Sequence, residues 1–159
     1  MPVLSQKSAL TIAAVLEIAL HQDQRPLSAR ALARRLHLGP RHLEPVLHSF
    51  ARAGILKGTR GAIGGYRLAR DRNRISVYDI LRASKASEQS SDPLTAYSSA
   101  LAATIVEPAL ARAEQTFAAA LQRISLEDLA RWAERKAIAT IITSNAVKPE
   151  TAETARHKS

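Results

Sequence analysis

Apolar residues recur at helical spacing along most of this chain and give way to short extended runs only between Ile55 and Leu68. Near the start, Ile12, Val15, Leu16 and Ala19 follow the i, i+3, i+4, i+7 spacing of one buried face, which predicts a helix from Ser5 or Gln6 to His21. The segment Asp23 to Pro26 ends it. Ser28 is placed to cap a second helix over Ala29 to Leu36, with Ala31, Leu32 and Leu36 inward and Arg30, Arg34 and Arg35 outward. After the turn Leu38-Gly39-Pro40, a third helix presents Leu43, Val46, Leu47 and Phe50 inward and ends at Gly54. Arg41, His42, Glu44, His48 and Ser49 are left on or near its outer surface. Pro45 removes a backbone donor beyond the first turn, so this helix is expected to start late, near His42, or to bend there.

Ile55 to Thr59 and Tyr66 to Leu68 read as two strands. All six glycines of the chain lie between Gly39 and Gly65, and four of them fall in Gly58-Thr59-Arg60-Gly61-Ala62-Ile63-Gly64-Gly65. This is a tight basic hairpin turn, in which missing Cβ atoms permit positive φ and close approach to a backbone or phosphate. A polar turn, Asp71 to Arg74, leads into a helix beginning in Ile75 to Leu81, where Ser76 and Asp79 have the spacing of a capping box. Two helices joined by a short glycine-containing turn, followed by strand, hairpin and strand, make a winged helix-turn-helix whose third helix is the recognition helix.

Lys85 to Ser91 is polar and reads as a linker. Asp92-Pro93 opens a long helix that reaches Arg123 if Pro108 is absorbed as a kink. Its apolar stripe is Leu94, Tyr97, Leu101 and Ile105, continuing to Leu110, Phe117 and Leu121. A helix of roughly 30 residues cannot bury such a stripe against so small a domain, and its most economical partner is the same helix of a second copy. The alternative is an intrachain hairpin with the last helix. That last helix starts at a second capping box, Ser125 with Asp128, and runs through Leu129, Trp132, Ala133 and Ile138 to about Ile142. The expected architecture is mainly α: a winged helix-turn-helix DNA-binding domain with a small β-hairpin wing over residues 1–84, a linker over 85–91, and a helical dimerisation region over 92–143. That region comprises a long dimerisation helix and a shorter following one, and residues 144–159 form a polar tail expected to be disordered.

Charge sharpens this picture. Residues 1–82 carry 14 Lys and Arg against 5 Asp and Glu, whereas residues 83–159 carry 9 of each, so the whole net charge of +9 belongs to the half with the glycine turn. A polyanion is the natural partner of such a half. Absence of cysteine removes disulfides, thiolate nucleophiles and Cys-ligated metal or iron–sulfur centres together. No apolar run approaches a membrane span and Met1 to Thr11 lacks signal-peptide architecture, so a cytoplasmic protein is expected.

Arg60, Arg67 and Arg70 lie on or beside the hairpin, where phosphate or minor-groove contact is natural. Arg41 and His42 open the recognition helix and are placed for a base edge or phosphate, with His48 further along. An enzyme is not expected. His42, Glu44 and His48 do not share one helix face as a metal set, and the glycine turn lacks the following helix of a nucleotide loop. Trp132 and Tyr97 either line an effector pocket or pack between helices.

The run Ala51 to Arg70, preceded by His42-Leu43-Glu44 and followed by Ile75-Ser76-Val77-Tyr78-Asp79-Ile80, resembles the Rrf2 family of bacterial winged-helix transcriptional regulators. Leu4-Ser5-Gln6-Lys7 is similar to that family's start. The resemblance implies a homodimer that binds imperfect palindromes in double-stranded DNA, more often as a repressor, with recognition helices in successive major grooves and wings near minor grooves. Carried over, the helix positions are Arg41, His42 and Glu44. The wing positions are Arg60, Gly61, Gly64, Gly65 and Tyr66, with Arg67 beside them. Many members hold an iron–sulfur cluster on three cysteines just after the winged domain, where this chain has the polar segment Ala83 to Ser91 and no thiolate. It therefore resembles the cluster-free branch, with no cofactor or metal expected and an unidentified small-molecule or protein effector. The competing reading is an adaptor that keeps the fold to bind a protein or effector without sequence-specific DNA binding.

Overall fold

In a computed structural model, which describes residues 5–21, 25–62, 64–85 and 100–146, the first helix, α1 (Gln6–Leu20), starts where the Ser5 hydroxyl accepts a hydrogen bond from the Ser8 amide. Its buried face is Ala14, Val15, Ile18 and Ala19. Helix α2 (Ala29–Arg35) is capped in the same way, Ser28 Oγ accepting from the Ala31 amide at 3.1 Å. At its far end the Leu38 amide donates to Ala33 O (2.8 Å) and the His37 amide to Arg34 O (3.3 Å), the paired bonds of a Schellman motif. His37 occupies the left-handed position with φ 54°, where glycine is usual.

Helix α3 runs from Pro40 to Arg52, with Pro40 in its first turn after the N-cap Gly39 and Pro45 inside it. The expected late start near His42 is thus corrected. Pro45 deletes the bond to the Arg41 carbonyl, and both residues are exposed on the outer face, where the carbonyl is open to solvent rather than buried without a donor. A second Schellman motif ends α3: the Ile55 amide donates to Phe50 O (3.0 Å) and the Gly54 amide to Ala51 O (3.1 Å), with Gly54 at φ 67°. Ile55 and Phe50 are both fully buried, giving the apolar contact that accompanies this motif and turning the chain directly into the wing.

The wing is an antiparallel pair, β1 (Leu56–Thr59) and β2 (Gly65–Leu68), in the register Leu56 with Leu68, Lys57 with Arg67, Gly58 with Tyr66 and Thr59 with Gly65. Its inner residues, Leu56 and Leu68, join the core. A third extended position was not foreseen: Leu27 and Tyr66 exchange amide-to-carbonyl bonds of 3.1 and 2.9 Å, which ties the segment before α2 to the open edge of β2.

After a 3₁₀ turn (Arg72–Arg74) comes α4 (Val77–Lys85), whose Ser76–Asp79 capping box forms in both directions: the Asp79 amide donates to Ser76 Oγ and the Ser76 amide to Asp79 Oδ2. The chain is described again from Ala100, where a π-helical turn (Ala102–Val106) precedes α5 (Glu107–Gln122). That wider turn lies directly before Pro108, and relieves the clash a proline ring makes with the preceding turn. Helix α6 runs Leu126–Ala146, four residues past the expected end, from the Ser125–Asp128 box. The two capping boxes lie side by side: Ser76 and Ser125 form a bridge in which the Val77 amide donates to Ile124 O (2.9 Å) and the Leu126 amide to Ile75 O (2.8 Å). Leu126 is fully buried in the same core as Phe50, Leu47 and Ile80, so the start of α6 belongs to the winged domain's packing. Leu121, expected in the dimer stripe, is instead buried against Val77 and Leu81 of α4. Leu94, Tyr97, the helix start at Asp92, linker residues 86–91 and tail residues 147–159 lie outside the described residues.

Candidate nucleic-acid interface

With Leu43, Leu47 and Phe50 buried, α3 turns outward the stripe Arg41, Pro45, His48 and Arg52, all exposed and spaced i, i+4, i+7, i+11. Glu44 and Ala51 flank it on the wing side. Between this face and the hairpin lies an open groove of about 1050 Å³, lined by Glu44, Pro45, His48, Ala51 and Arg52 from α3 and by Gly58, Thr59, Arg60, Gly65 and Tyr66 from the wing. Ser49, expected on or near the outer surface, is 3% exposed on the inner side and donates from its hydroxyl to the Ala83 carbonyl. His42 is exposed, and its ring lies back toward the turn: a Cβ on Gly39 would sit 3.3 Å from His42 Cδ2.

The glycines shape the wing. Gly61 has φ 113°, a conformation that excludes other residues except at a cost. The Gly64 amide donates to Gly61 O (3.0 Å), and a Cβ on Gly64 would lie 2.8 Å from Thr59 O. A Cβ on Gly65 would meet the Leu27 carbonyl carbon at 2.7 Å, because the bridge to Leu27 brings two backbones together there. Arg60 is exposed at the tip, and Lys57 faces Arg67 directly across the strands, an arrangement of like charges that costs stability in isolation.

Ion pairing separates two kinds of arginine. Arg35 reaches Glu17 (3.5 Å), Arg72 reaches Glu127 (3.2 Å) and Glu134 (3.8 Å), and Arg131 reaches Glu127 (3.0 Å). Arg41, Arg52 and Arg60 have no carboxylate partner among the described residues, so the groove keeps two guanidinium groups, Arg52 and Arg60, unpaired beside the single carboxylate of Glu44, with Arg41 a third at the head of the helical stripe. Such a surface attracts a polyanion, and planar guanidinium forks suit phosphate oxygens and guanine edges. Arg70, grouped with the wing cations from sequence, donates from Nε to the Gly54 carbonyl (3.1 Å) and so braces the end of α3.

The structure therefore brings Glu44, Arg60, Gly65 and Tyr66 together around one groove, and sets Arg41 at the head of the stripe along its helical wall. Pro45, Ala51, Arg52 and Thr59 were missed as lining residues, and His48 was underrated. The signal was present for the helix: counting i+4, i+7 and i+11 from Arg41 reaches all three outward positions.

A sequence model of the Rrf2 family, described as an iron-dependent transcriptional regulator, matches residues 4–131. A protein described as the HTH-type transcriptional regulator slr0846 of Synechocystis is 37% identical over 129 residues, covering 79% of this chain and 86% of its own. The regulator IscR of Vibrio cholerae is 31% identical over 80 residues, which is 50% of this chain and 46% of IscR. Among solved structures, CymR, the global cysteine regulator of B. subtilis, aligns with TM-score 0.60 at 26% identity over 83% of this chain and 98% of its own. T. potens IscR shares the fold at TM-score 0.60 and 24% identity, covering 95% and 93%.

The iron dependence in the family description meets a plain chemical obstacle. Iron–sulfur clusters are held by cysteine thiolates, and this chain has none. Among the described residues, no three His, Asp or Glu side chains assemble as a metal set. What the chain retains is the DNA-reading apparatus of winged helix, basic groove and matching sequence from residue 4 to 131: it belongs to the Rrf2 family of DNA-binding transcriptional regulators and is not an enzyme.

Proposed function

We propose that the protein is a cytoplasmic homodimer that binds an imperfect palindrome in double-stranded DNA and represses transcription by covering the promoter. The observation that carries this reading is the groove between α3 and the wing, with an unpaired guanidinium group on each wall, Arg52 on the helix and Arg60 on the wing. Helix α3 enters the major groove with Arg41 toward base edges and Glu44 facing an amino donor, while His42, whose ring rests toward Gly39, swings out to join Arg41 on contact. Arg60, beside Arg67, meets the phosphate backbone or the minor groove, while Gly61, Gly64, Gly65 and Tyr66 give the wing its shape. Among the described residues no helix is long and apolar enough to cross a membrane.

Dimerisation through Leu94, Tyr97, Leu101 and Ile105 is supported by exposure: Leu101 is 69% and Ile105 60% accessible, with Leu110 beyond them at 59%. An uncovered stripe of this kind on a helix calls for burial, and an antiparallel second copy covers it with its own stripe. Two recognition helices then present themselves to half-sites about one helical turn apart, roughly 34 Å. Control comes from an effector, a small molecule or another protein, since the family's thiolate-held cluster has no ligands here.

The test is a salt titration of binding to the protein's own upstream DNA. Affinity is expected to fall steeply as salt rises, and Arg60→Ala to weaken specific and scrambled duplexes alike while lowering the salt slope by about 1. Arg41→Ala is expected to change site preference. Salt-independent binding, or equal loss on both duplexes from Arg41→Ala, sinks the respective part of the reading.

A further inference from the structure

We propose that Ser49 is a positioning residue: its hydrogen bond to Ala83 sets the pose of the recognition helix and makes α4 the strut through which the C-terminal helices bear on site selection. The inference rests on the sequence-specific DNA-binding reading above. Two polar residues are buried among the described positions, Thr11 and Ser49. Thr11 bonds within its own helix, to Lys7 O, and ties nothing together. Ser49 is different, because its hydroxyl crosses from the back of α3 to a carbonyl 34 residues away.

Ala83 lies in the last turn of α4, where carbonyls have no amide four residues on within the helix, so the Ser49 hydroxyl supplies a cap to a neighbouring helix. Along the helix itself the other contacts with the body, through Leu43, Leu47 and Phe50, are apolar and carry little directionality, while the Arg70 bond to the Gly54 carbonyl acts just beyond its end. A hydrogen bond fixes rotation about the helix axis in a way those contacts do not. The other end of α4 is bonded to the start of α6 through the paired capping boxes, and its Val77 and Leu81 pack on Leu121 of α5. One helix thus touches the recognition element at its C-terminus and both C-terminal helices near its N-terminus. α4 contributes no residue to the groove itself.

Base-edge contacts demand closer placement than phosphate contacts, so loss of this bond acts on discrimination first. In paired titrations of operator and scrambled duplexes, Ser49→Ala is expected to lower the ratio of the two affinities by about tenfold, the scale of one good base contact. Scrambled-duplex affinity and salt slope stay within about twofold. Ser49→Thr, which keeps the hydroxyl, restores the ratio. A folded Ser49→Ala protein with an unchanged ratio, beside a wild type that discriminates, overturns this inference alone. Wild-type protein that binds both duplexes equally overturns the sequence-specific reading and this inference with it. A measurement on the wild type needs no variant: operator DNA is expected to slow amide exchange in the last turn of α4, residues 82–85, as well as in α3. Slowed exchange in α3 with no change in that turn overturns the coupling.

Discussion

A Cβ atom on Gly65 would lie 2.7 Å from the Leu27 carbonyl carbon and 2.9 Å from that of Pro26, both backbone atoms that cannot swing aside. The wing is held against the body at this point by the two bonds between Leu27 and Tyr66, so a methyl group here separates them. Gly65→Ala is expected to destabilise the fold by about 2 kcal/mol, the usual scale of overpacking, measured by urea unfolding. It should also weaken DNA binding with Arg60 still present, because the tip is displaced. A wild-type midpoint would show that the bridge to Leu27 yields easily. From sequence, Gly65 read as a close approach to a phosphate or backbone, and the structure supplies the backbone. What no local pattern could show is which backbone, since Leu27 is far away along the chain. The same holds for Ser49, which helical spacing alone placed on or near the outer surface.

At the scale of elements, the caps carry most of what is legible. Ser28, Ser76 and Ser125 were placed correctly because a cap is an interaction within three residues. The end of α2 holds a correctable strain: His37 sits at φ 54°, a conformation that costs an L-residue roughly 1–2 kcal/mol. Replacing it with glycine is expected to stabilise the protein by about 0.5–1 kcal/mol once the greater freedom of the unfolded glycine is offset. A lowered melting temperature for His37→Gly would mean that the imidazole makes a contribution larger than the strain. At the start of α6, hydrogen bonds from the Ser125 hydroxyl and amide, with Arg131 nearby, hold the Asp128 carboxyl below the ordinary carboxylate range. A depressed folded pKa means that the unfolded chain binds the proton more readily. The cap therefore contributes fully above about pH 4, the unfolded value, and its contribution is lost as pH falls through the lower folded value. Asp128→Asn is expected to be less stable than wild type at pH 6, with the gap closing toward pH 3 in denaturant titrations. A gap independent of pH would assign the effect to geometry rather than charge.

For the molecule as a whole, the described residues leave two surfaces open: the basic groove and the apolar stripe at the head of α5. Leu101 and Ile105 stand 69% and 60% exposed while Leu121, further along, is buried on α4, so the same run of apolar residues serves the interior at one end and, in the proposed dimer, a second copy at the other. Changing Leu101 and Ile105 together to arginine is expected to give a monomer by sedimentation. Affinity for a fragment with two half-sites should then fall by on the order of 10²-fold toward that of one half-site, because the linkage between recognition helices is gone. A dimer that survives this change would move the interface elsewhere. Trp132, 51% exposed on α6, is neither buried packing nor part of the groove. The boundary drawn between winged domain and dimerisation region is also blurred by Leu126, which enters the winged core.

The amino-acid sequence by itself determined the order of helices and strands, their caps, the glycine-shaped wing and the segregation of positive charge. These follow from interactions over three or four residues and from composition, which a linear pattern records. Tertiary structure alone decided that Ser49 faces inward to Ala83 and that Gly65 meets Leu27. It also decided that Arg70 braces α3 while Arg52 stays free for the groove, and that the first turn of α6 completes the core beside α4. Each of those outcomes joins residues remote in the chain, and depends on which surfaces remain open once the helices have packed.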